Sequence, residues 1–330
     1  MEAVRWGILS VSGHYALRVH SPLSQLAEAR IVAIASRDKA KASAAAARFG
    51  ISKSHPSYEA LLSDPEVEAV YIPLPNDLHE EWTEKALRAG KHVLCEKPLA
   101  MNVAEAKKMA ALAREKGLLL MEAFMYRFHP QWLRAKEIVL SGEIGTVRAV
   151  TVNFSYNNAD PANIRNRMEN GGGALYDIGC YAISASRWMA GAEPSRCLAL
   201  VERDRDFGTD RLSSAILDFG ASRATFNVGT RLFPVQRVDV VGDKGALAII
   251  LPFNAYPDVP LSLEVSTSLG TRTVVAGPTD QYAAMFSAFG RALRSGAPAP
   301  TPVEDGIANM AVIDSLFRSE KSGTWASVEN

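Results

Sequence analysis

From residue 4 to residue 123 the chain alternates short apolar runs with longer helical patterns, and glycine closes several of the helices. Residues 4–10 read as an apolar strand, followed by a helical pattern to about Leu26. Residues 30–36 form a second strand, and 38–49 an alanine- and lysine-rich helix closed by Gly50. A short helix at 58–62, a strand at 69–72 and a helix at 78–89 ended by Gly90 come next. A strand at 91–95, a helix at 103–116 ended by Gly117 and a strand at 118–123 complete the series. Strands separated by helices of this length can neighbour one another only through crossovers, so the pattern predicts βαβ units and a doubly wound parallel sheet.

The rhythm changes after residue 125. A helix at 131–141 precedes a strand-like run at 146–156, a loop, and a helix at 174–189. Strand candidates then follow one another at 196–205, 213–219, 224–231, 237–241, 246–251, 261–266 and 271–275, some separated by turns such as Gly242-Asp243-Lys244-Gly245. Consecutive strands without intervening helices predict a mostly antiparallel sheet. Helices at 281–294 and 304–319 close the chain, joined by the Gly/Ala/Pro linker 296–302. The expected class is therefore α/β, with one domain at 1–125 and a second at 126–330 that includes the closing helices 281–319.

The 330 residues suffice for two domains with cores of their own. Formal net charge is zero and no Lys/Arg block occurs, which argues against nucleic acid as the main partner. No apolar run approaches the roughly 20 residues of a membrane helix. The N-terminal residues enter a strand directly and lack a signal peptide's layout. Cys95, Cys180 and Cys197 are odd in number and show no CxxC spacing, so a cytoplasmic location is expected. Neither they nor His14, His20, His55, His79, His92 and His129 show metal-ligand spacing, and no metal is expected.

The first βα turn, Gly7-Ile8-Leu9-Ser10-Val11-Ser12-Gly13-His14-Tyr15-Ala16, is a variant of the glycine-rich turn that brings backbone N–H groups to a pyrophosphate. Ser10 and Ser12 stand at the first two glycine positions, Gly13 is displaced, and Ala16 is near the third. Small residues still allow close approach, and serine adds a hydroxyl; an ordinary strand-to-helix turn is the alternative. At the end of the second strand a carboxylate would bind a ribose 2′-hydroxyl. Here Ser36 and Arg37 stand there instead, with Lys41 beyond. Guanidinium fork geometry and permanent charge suit a 2′-phosphate, so NADP(H) is expected in preference to NAD(H), which stays possible; Arg37 as a plain surface residue is the alternative. Pro73, Leu74 and Asn76 form a stiff loop at the same sheet edge, and His79 follows near a helix start: a nucleotide wall, a capped turn, or both.

Glu96-Lys97-Pro98 stands at the end of strand 91–95, again at the carboxyl edge where open α/β sheets bind ligands. Proline disfavours helix at the residue before it, so Lys97 is held extended and aimed rather than carried on a surface helix. Farther on, Gly171-Gly172-Gly173-Ala174-Leu175-Tyr176-Asp177-Ile178-Gly179-Cys180-Tyr181 opens a helix with three glycines that admit a close backbone or ligand. Asp177 and Tyr181, spaced i, i+4, share one face of that helix. A glycine loop before an amphipathic helix with a buried tyrosine is the alternative.

These motifs, with Ala89-Gly90-Lys91-His92-Val93-Leu94-Cys95 ahead of Glu96-Lys97-Pro98, Glu122-Ala123-Phe124-Met125-Tyr126-Arg127-Phe128-His129-Pro130 and Asp280-Gln281-Tyr282, resemble the glucose–fructose oxidoreductase/inositol dehydrogenase (Gfo/Idh/MocA) family over nearly the whole chain. The form of the motifs resembles the branch with xylose dehydrogenases, dihydrodiol dehydrogenases and sugar ketoreductases. The resemblance implies an N-terminal Rossmann domain for the nucleotide. It also implies a C-terminal α/β domain whose large, mostly antiparallel sheet binds substrate and joins subunits, giving a homodimer or homotetramer. The implied activity is hydride transfer between nicotinamide and a sugar or polyol carbinol or carbonyl; a trans-dihydrodiol dehydrogenase, or a non-catalytic NADP- or sugar-sensing regulator, are the alternatives. Tyr181 resembles the family's acid/base position, Lys97 would hydrogen-bond the same oxygen and lower the tyrosine pKa, and Asp177 would orient substrate or tune Lys97. Glu96 and Lys97 are counted with the nucleotide contacts as well, and Tyr126, Arg127, Arg165 and Arg167 with the substrate.

Overall fold

The computed structural model describes residues 2–329. In chain order it runs β1 (Val4–Leu9), a π-helical turn Tyr15–Val19 into α1 (His20–Ser24), β2 (Ala29–Ala35), α2 (Lys39–Phe49), β3 (Lys53–His55), α3 (Tyr58–Leu62), β4 (Ala69–Ile72), α4 (His79–Arg88), β5 (His92–Cys95), α5 (Val103–Lys116) and β6 (Leu120–Glu122). It continues with α6 (Pro130–Leu140), β7 (Val147–Asn157), a π-helical turn Leu175–Gly179 into α7 (Cys180–Ala190), β8 (Arg196–Arg203), β9 (Asp210–Asp218) and β10 (Arg223–Gly229). Last come β11 (Arg231–Gly242), β12 (Gly245–Ile249), β13 (Leu261–Thr267), β14 (Gly270–Ala276), α8 (Gln281–Ser295), α9 (Val303–Ser322) and β15 (Ala326–Ser327).

Two compact units result. One holds Met1–Met125 and Gln281–Ile307, the other Tyr126–Asp280 and Ala308–Asn330. The stretch 281–307, expected with the second domain, thus groups with the first. Its reason is visible in the packing of α8: Trp6 of β1 sits edge-on to Phe286 at 4.9 Å and against Phe289 at 5.4 Å, and Arg294 bonds the Glu68 carboxylate at 2.7 Å.

The first unit's sheet has the order β3-β2-β1-β4-β5-β6, and every pair is parallel. This is the doubly wound order whose direction of winding reverses between β1 and β4, the crevice in which such sheets take a dinucleotide. Leu9 and Ile72 end these two strands, so Ser10 and Pro73 begin the loops at the reversal. The helices start and stop where their sequences dictate. The Asp38 side chain caps α2 by accepting from Ala40 and Lys41 N–H groups, and Asn102 caps α5 by accepting from Glu105 N. Gly50 and Gly117 end the same helices in the left-handed conformation, where a side chain is penalised.

The second unit's nine-stranded sheet has the order β14-β13-β12-β11-β7-β10-β9-β8-β15. It is antiparallel apart from β10 and β7, which pair in parallel. The ladder between β11 and β7 is irregular between Arg231 and Val235, where Pro234 offers no N–H. Buried Trp132, Phe154, Phe253 and Tyr126 form an aromatic core on one face of the sheet. The other face carries a ladder of polar side chains, Ser214–Asn227 at 2.6 Å and Asn227–Asn153 at 3.2 Å, with Leu200 exposed beside it.

Candidate active site

In the first unit, Ser10 follows β1 with φ +145, a conformation costly for any residue with a Cβ and the one glycine would adopt freely. The Ser12 hydroxyl accepts from Tyr15 N at 3.1 Å, which starts the helical turn, and its own hydrogen remains to donate. A Cβ at Gly13 would meet nothing within 4 Å. Gly13 and Ser12 line an open cleft of ≈ 320 Å³ with Lys41 and Arg48 of α2. Small residues, exposed backbone and two cations make a chemistry suited to phosphate. Ser36 is buried and accepts from Asp38 N at 3.2 Å, whereas Arg37 is exposed. Arg48 was not among the expected residues; its seven-residue spacing from Lys41 along one helix face is the signal that points to it.

The loops after β4 and β5 are joined by His79. Its ring is fully buried, with Nδ1 2.8 Å from Pro98 O and Nε2 3.0 Å from Leu74 O. Burial lowers the imidazole's pKa from its ordinary value, against the pull of the two carbonyls, which favour the charged form. His79, expected to touch the nucleotide, therefore braces the two loops that carry Leu74 and Lys97. Glu96 accepts from the Tyr71 hydroxyl at 2.5 Å and faces His14 at 3.4 Å. Burial pushes its carboxyl up, but His14, Tyr71 and Lys97 outweigh that and hold it at about 2. Glu96 is thus a charged anchor at the sheet's edge, and half-buried Lys97 follows it through a cis peptide to Pro98.

In the second unit, the glycine run is explained by close approach. A Cβ on Gly172 would lie 2.5 Å from Arg165 O and 2.6 Å from Arg167 O; one on Gly173, at φ +114, would lie 1.9 Å from Asp210 Oδ1. The helix that follows carries Asp177 and Tyr181. Asp177 accepts from the Tyr156 hydroxyl at 2.7 Å and pairs with Arg165 Nε at 2.9 Å. The Asp177 charge first, with Tyr156 and Tyr181 adding to it, holds the Arg165 guanidinium firmly cationic. Burial, then Asp177, push the Tyr156 phenol far above its ordinary value, so Tyr156 stays a neutral donor. The Tyr181 ring is seated against Phe253 at 5.2 Å, Phe154 at 5.7 Å and Tyr126 at 5.8 Å.

Tyr126 and Arg127, expected to touch substrate, are packed against α7. The Tyr126 hydroxyl and Arg127 Nη2 each lie 2.7 Å from Ser184 Oγ, and Arg127 lies over the Trp188 ring. Both are buried. Arg167 is exposed and takes part through its carbonyl, which accepts from Gly172 N at 2.9 Å. Tyr156 was not expected; it lies at the end of β7, opposite a helix distant in sequence, and no local pattern marks it. Among the described residues no group of His, Cys, Asp and Glu is arranged to hold a metal ion, and no helix is long and apolar enough to cross a membrane.

Comparison with known proteins agrees with this geometry. Residues 4–124 match the oxidoreductase family with an NAD-binding Rossmann fold, and residues 132–248 match the GFO/IDH/MocA C-terminal domain. The chain is 40% identical over 332 residues to D-xylose 1-dehydrogenase (NADP(+)) 2 of Haloferax volcanii, covering 98% of this chain and 99% of that one. It is 34% identical over 250 residues to trans-1,2-dihydrobenzene-1,2-diol dehydrogenase of Mus musculus, covering 75% of this chain and 74% of the other. A 3-ketoreductase from Actinomadura kijaniata, solved with NADP and TDP-benzene, superposes with a TM-score of 0.91 at 31% identity over 96% of this chain and 98% of that one. With both units matched and a relative of 40% identity aligned over 98% of the chain, the chain belongs to the Gfo/Idh/MocA family of oxidoreductases.

Proposed function

We propose that this chain is an NADP(H)-dependent oxidoreductase that moves a hydride between nicotinamide and a carbinol or carbonyl carbon of a sugar or polyol. The first unit's residues fit the nucleotide: a turn of small residues, a cleft with room at Gly13, and Lys41 and Arg48 lining it. NADP(H), when bound, supplies or accepts the hydride. Ser36, Arg37, Lys41 and Arg48 would hold the 2′-phosphate, and Ser10, Ser12, Gly13 and His14 the diphosphate.

The chain's own contribution to chemistry is proton handling. Tyr181 takes the hydroxyl proton of the substrate in oxidation and returns it in reduction. A phenol ordinarily titrates near 10, too high for a base at neutral pH, so cations must favour its ionised form. Arg165 is one such cation, held in place by Asp177. Lys97, at the carboxyl edge of the first unit's sheet, is the proposed donor to the reacting oxygen of the substrate. Asp177 is already engaged by Arg165 and Tyr156, so it acts by orienting Arg165 rather than as a free base. The observation that carries this reading is a tyrosine seated in an aromatic wall, on the same helix as a carboxylate–guanidinium pair.

The relatives favour sugars, and the dihydrodiol dehydrogenase among them supports a trans-dihydrodiol as the second reading. We propose further that the chain acts as a homodimer or homotetramer through the second unit's sheet. The test of activity is a panel of aldoses, ketoses, polyols and dihydrodiols with each oxidised nucleotide, followed by nicotinamide absorbance. Turnover of a sugar or polyol with at least about tenfold preference for NADP(+), roughly 1.4 kcal/mol of discrimination, is expected. Nucleotide binding without turnover of any substrate would contradict it and point to a sensor.

A further inference from the structure

The continuous helix from Leu175 to Ala190 begins in an unusual way. Its own N-terminal residue, Ala174, makes no side-chain cap, and the three residues before it are glycines. The first amides of a helix have no partner inside it and need one when buried. Leu175 is fully buried, so water does not supply it. The partner is Asp210, the first residue of β9, which is 1% exposed. Its Oδ2 accepts from Leu175 N at 2.7 Å and from Ser213 Oγ at 2.9 Å. Its Oδ1 occupies the space where a Cβ of Gly173 would stand. The glycine and the carboxylate are therefore two halves of one fitting.

We propose that Asp210 is a positioning residue: it caps the helix from outside and so fixes where Asp177 and Tyr181 stand. The proposal rests on the reading of Tyr181 given above. The capped amide of Leu175 stands two residues before Asp177 and six before Tyr181, and helix ends without caps fray. The positive end of the helix dipole offsets part of the cost of burying a carboxylate there. Three neighbours already limit sideways movement of α7: Asn309 Nδ2 donates to Cys180 O at 3.1 Å, and Tyr126 and Arg127 hold Ser184. Asp210 supplies the remaining constraint, along the helix axis at its free end. Asp177 in turn needs to meet Tyr156 and Arg165, which come from other segments, so a shift of the helix start would part them.

The test compares Asp210→Ala, Asp210→Asn and Tyr181→Phe in the full chain, with kcat, KM, NADPH affinity and thermal melting measured for each. Asparagine keeps an oxygen that accepts from Leu175 N; alanine does not. Asp210→Ala should fold, bind NADPH as the wild type does and lose at least about tenfold in kcat, while Asp210→Asn stays within about threefold of wild type. Wild-type kcat in a folded Asp210→Ala overturns the proposal, as does equal damage in the two Asp210 variants. Should Asp210→Ala not fold, Asp210→Ser, whose hydroxyl is too short to reach, is read by the same criteria. Hydrogen exchange in the wild type gives an independent reading: a Leu175 amide protected like the interior of α7 supports the cap, and a fast-exchanging one overturns it. Tyr181→Phe separates the levels. If it turns over like wild type, the reading of the site fails; if it is slow and Asp210→Ala is not, the positioning role alone fails.

Discussion

Glu96 and Asp210 are both buried acids, and their surroundings drive them in opposite directions. Burial raises each carboxyl, but at Glu96 the neighbours His14, Tyr71 and Lys97 prevail and hold it near 2, whereas at Asp210 burial prevails and the carboxyl rises to about 6. The signs for stability therefore differ. Glu96 has a folded pKa below its ordinary 4.5, so its contribution is present above about pH 4.5 and is lost as pH falls toward 2. Asp210 has a folded pKa above its ordinary 3.8, so its contribution is present below about pH 4 and is lost as pH rises through 6. The rise from 3.8 to about 6 corresponds to roughly 3 kcal/mol. The charged and titratable groups facing Asp210 are Arg203 on β8 and Tyr156 on β7, and neither titrates in that window. Thermal melts at about pH 4 and pH 8 should show Asp210→Asn losing less stability than wild type between them; equal losses would contradict the assignment. At Lys97 the expectation concerns rate. Lys97→Met should lower kcat by at least about tenfold with NADPH still bound, and wild-type turnover would remove Lys97 from the proposed chemistry.

Glycines at two elements make opposite predictions that share one experiment. Gly173→Ala would press a Cβ onto Asp210 and hold a φ of +114, so it should destabilise the second unit by about 2 kcal/mol or more in denaturant unfolding. Gly13→Ala meets open space, so stability should hold while NADPH affinity falls, because the added methyl enters the cleft lined by Lys41. Unchanged affinity in Gly13→Ala would place the diphosphate elsewhere. What local sequence shows and what it hides follow the same division. The closing glycines Gly50 and Gly117 and the strand–helix alternation are short-range events and were legible, whereas the caps at Asp38 and Asn102 are seen only in the fold. The short edge strand β3 has too few residues to show a period, and the parallel pairing of β7 with β10 depends on how separate segments meet. The same holds for the partners of the site. Tyr71 reaches Glu96 across 25 residues, Tyr156 reaches Asp177 across 21 and Asp210 reaches Leu175 across 35. Motifs marked Glu96 and Asp177; only the fold shows what holds them. Tyr126, Arg127 and His79 have the converse history, since a motif marked them and burial shows them bracing loops and helices.

At the scale of the whole molecule, each unit carries its own core, and the proposed labour is divided between them. The first unit is matched by the nucleotide-binding half of the family and the second by its C-terminal half. The second unit's sheet leaves a face with the Ser214–Asn227–Asn153 ladder and Leu200, which is 78% exposed. A face of ladder and exposed leucine suits a self-complementary contact. Sedimentation should find a dimer or tetramer that Leu200→Glu weakens, and a monomeric wild type would contradict the proposed assembly. The central claim, that the Tyr181 phenol moves the proton while the nucleotide carries the hydride, is tested most directly by kcat of Tyr181→Phe measured beside its NADPH affinity. The account predicts affinity close to wild type and kcat lower by about a hundredfold, the scale of one general acid–base group. A Tyr181→Phe enzyme that turns over sugar at the wild-type rate would contradict it.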